Sequence, residues 1–204
     1  IKDISIGRNS VVSNTTATYT GIQLTSSHGT NTVALNKVNL TSTGDGITIN
    51  GVNSESSLPG LCKVYNNMSS VVSGSAFTLS TNRRLQFVYN TGYSAGTTAS
   101  SHHAIKLFGG DSITVQNNIG VANAGRAYSE TFYIPIVNAD HNNYFTSGTE
   151  LAYRANTPYA DLASWQAGTT LDSNSFSTDP LFVSNADLHI LNSALNAVAL
   201  LQVG

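Results

Sequence analysis

Every 25 to 30 residues the chain returns to one short phrase: a small residue, an apolar residue, any residue, and a second apolar residue. It occurs as Gly21-Ile22-Gln23-Leu24, Gly46-Ile47-Thr48-Ile49, Ala76-Phe77-Thr78-Leu79 and Ala104-Ile105-Lys106-Leu107. The central residues Ile22, Ile47, Phe77 and Ile105 are 25, 30 and 28 positions apart. Recurrence at that interval constrains the fold more than any other feature, because it is the mark of a solenoid. A solenoid coil buries its apolar face only by stacking on its neighbours. Period-2 alternation and β-branched or aromatic residues make the phrase a strand. Ile22/Leu24, Ile47/Ile49, Phe77/Leu79 and Ile105/Leu107 are expected to face inward, and Gln23, Thr48, Thr78 and Lys106 outward. No stretch before residue 155 sustains a helical apolar period, which disfavours helical solenoids. Strands that return in one direction pair in parallel about 4.8 Å apart, so five or six coils would span about 25–30 Å.

A second phrase precedes each copy of the first: Ala34-Leu35-Asn36-Lys37-Val38, Val64-Tyr65-Asn66-Asn67-Met68, Val88-Tyr89-Asn90-Thr91-Gly92 and Val115-Gln116-Asn117-Asn118-Ile119. Asp140-His141-Asn142-Asn143-Tyr144 is a degenerate fifth copy. Asn36, Asn66, Asn90, Asn117 and Asn142 lie 30, 24, 27 and 25 residues apart. One coil is therefore expected to hold a strand, an Asn-containing corner, a second strand and a variable loop. Asn tolerates left-handed backbone geometry at such a corner. Stacked Asn side chains can also bond one another along the cylinder, so these five form the expected structural ladder. The longest loops, Asn53 to Gly60 and Tyr93 to His103, are where a solenoid would place a binding site.

Charged residues are only 10% of the chain, against roughly 25% in typical domains, and Ser, Thr, Asn and Gly replace them. That composition is common in secreted surface proteins. A net charge of −2 gives no basic field for nucleic acid. No apolar run approaches the roughly 20 residues that span a bilayer, so the chain is not expected to cross a membrane. The single cysteine, Cys62, excludes an internal disulfide framework and reads as a small half-buried strand residue. Sequons at Asn14, Asn39 and Asn67 carry little weight in so polar a chain. Ile1 opens in the middle of a strand-like pattern, which suggests a fragment of something longer.

The pattern changes near Phe145. Tyr159 to Gln166 reads as a short helix with Asp161 as its N-cap and Leu162 and Trp165 on one face. An apolar strand after Asp179-Pro180 and another over Asp187 to Leu191 follow. An open parallel cylinder must cover its end to avoid edge pairing. The expected organisation is thus β-helix coils over 1–148 and a C-terminal cap of the same domain over 149–204.

The coils resemble right-handed parallel β-helix proteins of the pectin-lyase-like superfamily, asparagine ladders included. The tail resembles a narrower group, the β-helix domains of large secreted surface proteins of Bacteroidetes. The match is carried by Asn142-Asn143-Tyr144-Phe145, Tyr159 to Gln166, Asp172-Ser173-Asn174-Ser175, Asp179-Pro180-Leu181-Phe182-Val183 and Asp187-Leu188-His189. It is weak over 1–139 and strong over 140–191. Ser193-Ala194-Leu195-Asn196-Ala197-Val198 departs from the group's usual Ser-Pro-Ala-Ile-Asp-x-Gly ending. The resemblance implies an all-β right-handed parallel β-helix, export by the type IX secretion system, and a secreted or cell-surface location. The exporting machinery is an implied partner.

That fold hosts pectate lyases and polygalacturonases as well as adhesins without catalysis, so activity must be sought in side chains. Calcium needs six to eight oxygens, several of them from carboxylates. The coil acids Asp3, Asp45, Glu55, Asp111, Glu130 and Asp140 fall at different offsets from the repeat, so no metal site or other cofactor is expected and calcium finds no support. Gly44-Asp45-Gly46 is similar to an Asp-bearing turn of polygalacturonases, but that family's His and Arg-x-Lys companions are missing, and Asp45 reads as a turn residue. No carboxylate pair at acid–base spacing is evident, and no catalytic residue is assigned. The densest polar group is Arg83, Arg84, His102, His103 and Lys106, beside the 93–103 loop. It is the candidate ligand-binding set, suited to an acidic glycan. His189 is expected to hold a structural hydrogen bond. The leading expectation is an adhesin or glycan-contacting module without catalysis. The alternative is a polysaccharide lyase or glycoside hydrolase whose site lies partly in other coils.

Overall fold

A computed structural model describes residues 1–13, 17–54, 60–132 and 136–195. The fold is the expected parallel β-helix, of about five turns. Each coil carries three strands rather than the expected two. The first face stacks Ser5–Gly7, Asn31–Ala34, Cys62–Tyr65, the end of Ser75–Val88, the end of His103–Gln116, and Ile136–Asp140. The second stacks Ser10–Ser13, the start of Lys37–Asn50, Met68–Ser73, Thr91–Ser94, Ile119–Ala122 and Asn143–Thr146. The third stacks Tyr19–Thr25, the end of Lys37–Asn50, the start of Ser75–Val88, the start of His103–Gln116, Arg126–Glu130 and Ala152–Arg154. All these pairings are parallel.

The repeated phrase lies on the third face, and its four copies are in register. Ile47, Ile49, Phe77, Leu79, Ile105 and Leu107 are fully buried, and Ile22 and Leu24 nearly so. Tyr128 and Glu130 continue the two inward columns beyond Ile105 and Leu107. The small first residue of the phrase sits where the second and third faces meet. A Cβ on Gly46 would lie 1.9 Å from Ser69 Oγ and 2.7 Å from the Ala76 carbonyl oxygen. Chain packing, not turn geometry, therefore requires it to be small.

The second face escaped the sequence reading for a physical reason. Its two inward columns run Val11, Val38, Ser69, Gly92, Gly120, Tyr144 and Ser13, Leu40, Val71, Ser94, Ala122, Thr146, so apolar alternation survives at Val38 and Leu40 and is lost in most other rungs. Large third-face side chains fill the space instead. A Cβ on Gly92 would meet the Phe77 ring at 3.0 Å. Phe77 in turn packs edge-on against Phe87 of the first face, with ring centroids 5.0 Å apart.

Between the first and second faces runs the asparagine ladder. The backbone N–H and side-chain amide of Asn9 both donate to Asn36 Oδ1, at 3.0 and 2.9 Å. Asn36 donates likewise to Asn67, Asn67 to Asn90, Asn90 to Asn118, and Asn118 to Asn142. Each of the last five also donates its amide to a first-face carbonyl of the preceding coil: Ile6, Val33, Val64, Phe87 or Val115. Asn36, Asn90 and Asn142 thus hold the expected place, whereas Asn66 and Asn117 do not. They stand one position earlier, in left-handed geometry at φ 53° and 55°. The same position is held in other coils by Arg8, Leu35, Tyr89 and His141. An Asn-Asn pair offers two candidates for one inward slot, and only the second member of each of these two pairs points inward.

The last coil is closed by the C-terminal segment. Thr157–Tyr159 adds to Ala152–Arg154 antiparallel and ends the parallel stack. The helix α1 (Leu162–Thr169) follows, with Asp161 as N-cap in a reciprocal capping box with Ser164. Trp165 is buried, packing edge-on against Tyr128 and Tyr159 with both centroid distances 5.3 Å, and its indole N–H donates to Asp172 at 2.9 Å. Asp172 also accepts from Asn142 at 2.8 Å and from Ser175 at 2.7 Å, so it terminates the ladder. The remaining tail does more than cover the end. Phe176 bridges to Asn143, and the hairpin Phe182–Ser184/Asp187–Ile190 runs back over the second face, with Phe182 on Tyr93 at 6.2 Å. His189 and, more weakly, Lys37 hold the Asp187 carboxyl below its usual range. Asp179 accepts from the Leu181 N–H and fixes the turn before the hairpin.

Glu130 is fully buried and ion-paired to Arg154 at 2.7 Å, with Tyr128 donating at 3.2 Å. Burial nevertheless pushes its carboxyl up to about 7, against 4.5 for an ordinary glutamate.

Two predictions follow from this architecture. Asn67→Ala strands buried donors and acceptors on both neighbouring coils and is expected to cost about 3 kcal/mol, whereas exposed Asn66→Ala costs about 1 kcal/mol. Denaturant titration of the two variants distinguishes them. The folded chain keeps the Glu130 proton between pH 4.5 and about 7 while the unfolded chain releases it, so stability falls as pH rises through that window. The difference in unfolding free energy between wild type and Glu130→Gln should shift against wild type by up to about 3 kcal/mol from pH 4.5 to 7.5, and should be flat above.

Candidate functional site

The five residues expected to cluster are divided by the third face. Arg83 and Arg84 stand at its exit toward the first face, and His102 and His103 at its entry from the second. The intervening rung, Ser75 to Ser80, spans about 17 Å at roughly 3.3 Å per residue. Arg83 pairs with Asp111 of the next coil at 3.4 Å, and Arg84 Nε donates to the Gly60 carbonyl at 3.0 Å. Lys106 lies between the two ends, half-exposed on the outer surface. His103 is only 2% exposed, and burial together with the charges of Lys106 and Arg126 lowers its pKa to about 3. It is a neutral interior side chain. Of the five, His102 lines a concave surface among the described residues.

That surface is a groove of about 420 Å³ crossing four coils at the corner between the second and third faces. Thr18, Tyr19 and Thr20 come from the first coil, Thr43, Gly44 and Asp45 from the second, Ser73 and Gly74 from the third, and Ser101 and His102 from the fourth. Register places these positions above one another: Tyr19 opposes Gly44, and Thr20 opposes Asp45. Tyr19 is 44% exposed. Gly44 is held at φ 149°, where a Cβ would meet the Tyr19 carbonyl oxygen at 1.7 Å, so the chain beside the Tyr19 backbone admits no side chain.

Asp45 is more than a turn residue. Its Oδ1 accepts from the Ser75 N–H at 2.9 Å and its Oδ2 from the Thr78 hydroxyl at 2.6 Å. Both donors belong to the next coil, so the carboxylate is fixed against the groove wall. His102 is held as firmly. Its Nε2 meets Ser73 Oγ at 3.1 Å, and its Nδ1 lies 3.0 Å from the Thr98 carbonyl oxygen and 3.1 Å from the Thr98 N–H. Tyr19 and Asp45 were not singled out as binding residues in the sequence. Their offsets from the repeat were visible, but the meeting of four coils at one corner depends on the unseen second face.

Arg126 is engaged within the fold. Arg126 donates Nε and Nη2 to Glu150 Oε2 at 2.7 and 2.6 Å and lies 3.9 Å over the Tyr153 ring. Cys62 is buried, and its thiol is pushed up to about 12, which leaves it without nucleophilic character. The ladder uses Asn67 as an interior residue, so its sequon is closed to modification. Glu55, most of the Asn53–Gly60 loop, the Asn14 sequon and residues 196–204 lie outside the described residues. Among the described residues there is no cluster of three or more His, Cys, Asp or Glu able to hold a metal ion, and no helix long and apolar enough to cross a membrane.

Comparison with protein-family models, with curated proteins and with solved structures finds no match for the chain.

Because buried His103 stays neutral while an unfolded histidine takes a proton below about 6.5, the unfolded state binds more protons between pH 6.5 and about 3, and stability falls with pH there. Wild type should lose about 2 kcal/mol from pH 7 to pH 5 relative to His103→Gln, read from paired denaturation curves.

Proposed function

We propose that this chain is a β-helix module without catalysis, part of a secreted or cell-surface bacterial protein, that contacts a glycan through the groove at Tyr19, Asp45 and His102. The observation that carries the reading is the composition of that groove: a half-exposed aromatic ring beside five short hydroxyl side chains and a fixed carboxylate. A flat ring takes the C–H face of a sugar, and fixed short polar groups read its hydroxyls at low entropic cost. The stacked coils extend such contacts along a linear chain, as adhesion requires. The tail's resemblance to surface proteins of Bacteroidetes supports export by the type IX system, with the secretion machinery as a transient partner.

A second reading, a polysaccharide lyase or glycoside hydrolase with part of its site outside this segment, is favoured by one observation. Asp45 and His102, both able to move protons, line the same groove. The two readings differ in product. Incubation with polysaccharide should leave chain length unchanged under the first and release new ends under the second.

Glycan-array binding followed by titration tests the leading reading. Tyr19→Ala is expected to weaken binding about tenfold while leaving the melting temperature within a degree or two, since the ring is not part of the core. Unchanged affinity in that variant would remove the groove from consideration.

A further inference from the structure

We propose that the groove selects neutral, hydroxyl-bearing glycans and rejects acidic ones, with Asp45 as the specificity-determining residue. The inference rests on the reading of the groove as a glycan site. Among the described lining residues Asp45 is the one acidic or basic side chain apart from the imidazole of His102. Arg83 and Arg84, the guanidinium groups an acidic sugar would seek, stand at the opposite edge of the third face, and Arg83 is paired with Asp111. Lys106 is also absent from the lining.

The geometry of Asp45 turns this charge into a reader. A carboxylate offers about four acceptor directions. Two are used by Ser75 N–H and the Thr78 hydroxyl, one on each oxygen. Each oxygen therefore keeps one direction for an outside donor, an arrangement suited to two neighbouring sugar hydroxyls. The bonds from Ser75 and Thr78 hold the group in place before a ligand arrives, so no rotamer must be frozen on binding. Hydrogen bonds to an ionised acceptor are also stronger than neutral ones. A uronate or sulfate in the same position would bring an anion against a fixed anion with no cation in the lining to offset it. Tyr19, from the coil before Asp45, supplies the flat surface for the ring of the same or the adjoining sugar.

The test is calorimetric titration at pH 8 with neutral hexasaccharides built from glucose, mannose, galactose or xylose, and with hexagalacturonate. At least one neutral hexasaccharide should bind about tenfold or more tightly than hexagalacturonate, with less than about twofold change between 50 and 500 mM salt. Asp45→Ala should weaken the neutral ligand about tenfold or more. Asp45→Asn, which keeps shape and removes charge, should narrow the discrimination against hexagalacturonate, and it serves if the alanine variant does not fold. Tighter binding of hexagalacturonate that is still lost in Tyr19→Ala would overturn the selectivity and leave the groove as the glycan site. Binding of neither class, or binding indifferent to Tyr19, would overturn the groove reading together with this inference.

Discussion

The structure depends on one continuous hydrogen-bonded column, the chain of amides from Asn9 through Asn142 to Asp172. A parallel coil must turn between faces without leaving buried backbone groups unpaired, and an interior corner has no water to help. Each ladder asparagine solves this for two coils at once. Its carbonyl oxygen accepts from the coil before, and its amide donates to the coil after and to a backbone carbonyl. The bonds from one asparagine to the next all run the same way, so the column is polar. Its donor end meets the carboxylate of Asp172, which is the right partner for that end and the wrong one for any other. A stack of amides could continue; a carboxylate, having no N–H, stops it.

Much of this was legible because repetition multiplies a weak signal. The third face showed itself through Ile22, Ile47, Phe77 and Ile105, which occupy one column and have no choice but to be apolar. The short helix and its cap at Asp161 were legible for a local reason, since capping involves residues three apart. The second face was not legible. Its core positions at Gly92 and Gly120 are small because Phe77 and Ile105 occupy their volume, and alternation does not survive that substitution in those rungs. The one-residue slip at Asn66 and Asn117 has the same character. Adjacent asparagines are chemically equivalent, and only the direction of the backbone tells them apart.

The groove illustrates the difference between residues near one another in the repeat and residues near one another in space. Arg83, Arg84, His102, His103 and Lys106 belong to two successive coils, yet a full strand lies between the arginines and the histidines. Tyr19, Asp45, Ser73 and His102 come from four different coils and share one corner. In a solenoid, sites are assembled along the axis, one residue per coil, rather than around a coil. A search of the sequence for charge density is drawn to the second arrangement, whereas the fold builds the first.

The returning tail changes how such a molecule comes apart. In a simple solenoid each coil touches only its neighbours, so coils fray in succession from the ends and folding can begin at many places. Here Phe176 binds the sixth rung of the second face, Phe182 packs on Tyr93 of the fourth, and Asp187 feels Lys37 of the second. The last two contacts join residues separated by about ninety and one hundred and fifty positions, and their closure entropy must be met late, once most coils exist. The tail therefore acts as a lock on an assembled stack. It makes the coils it crosses lose their structure together, and it gives the cylinder a barrier to unzipping that its nearest-neighbour contacts alone would not supply.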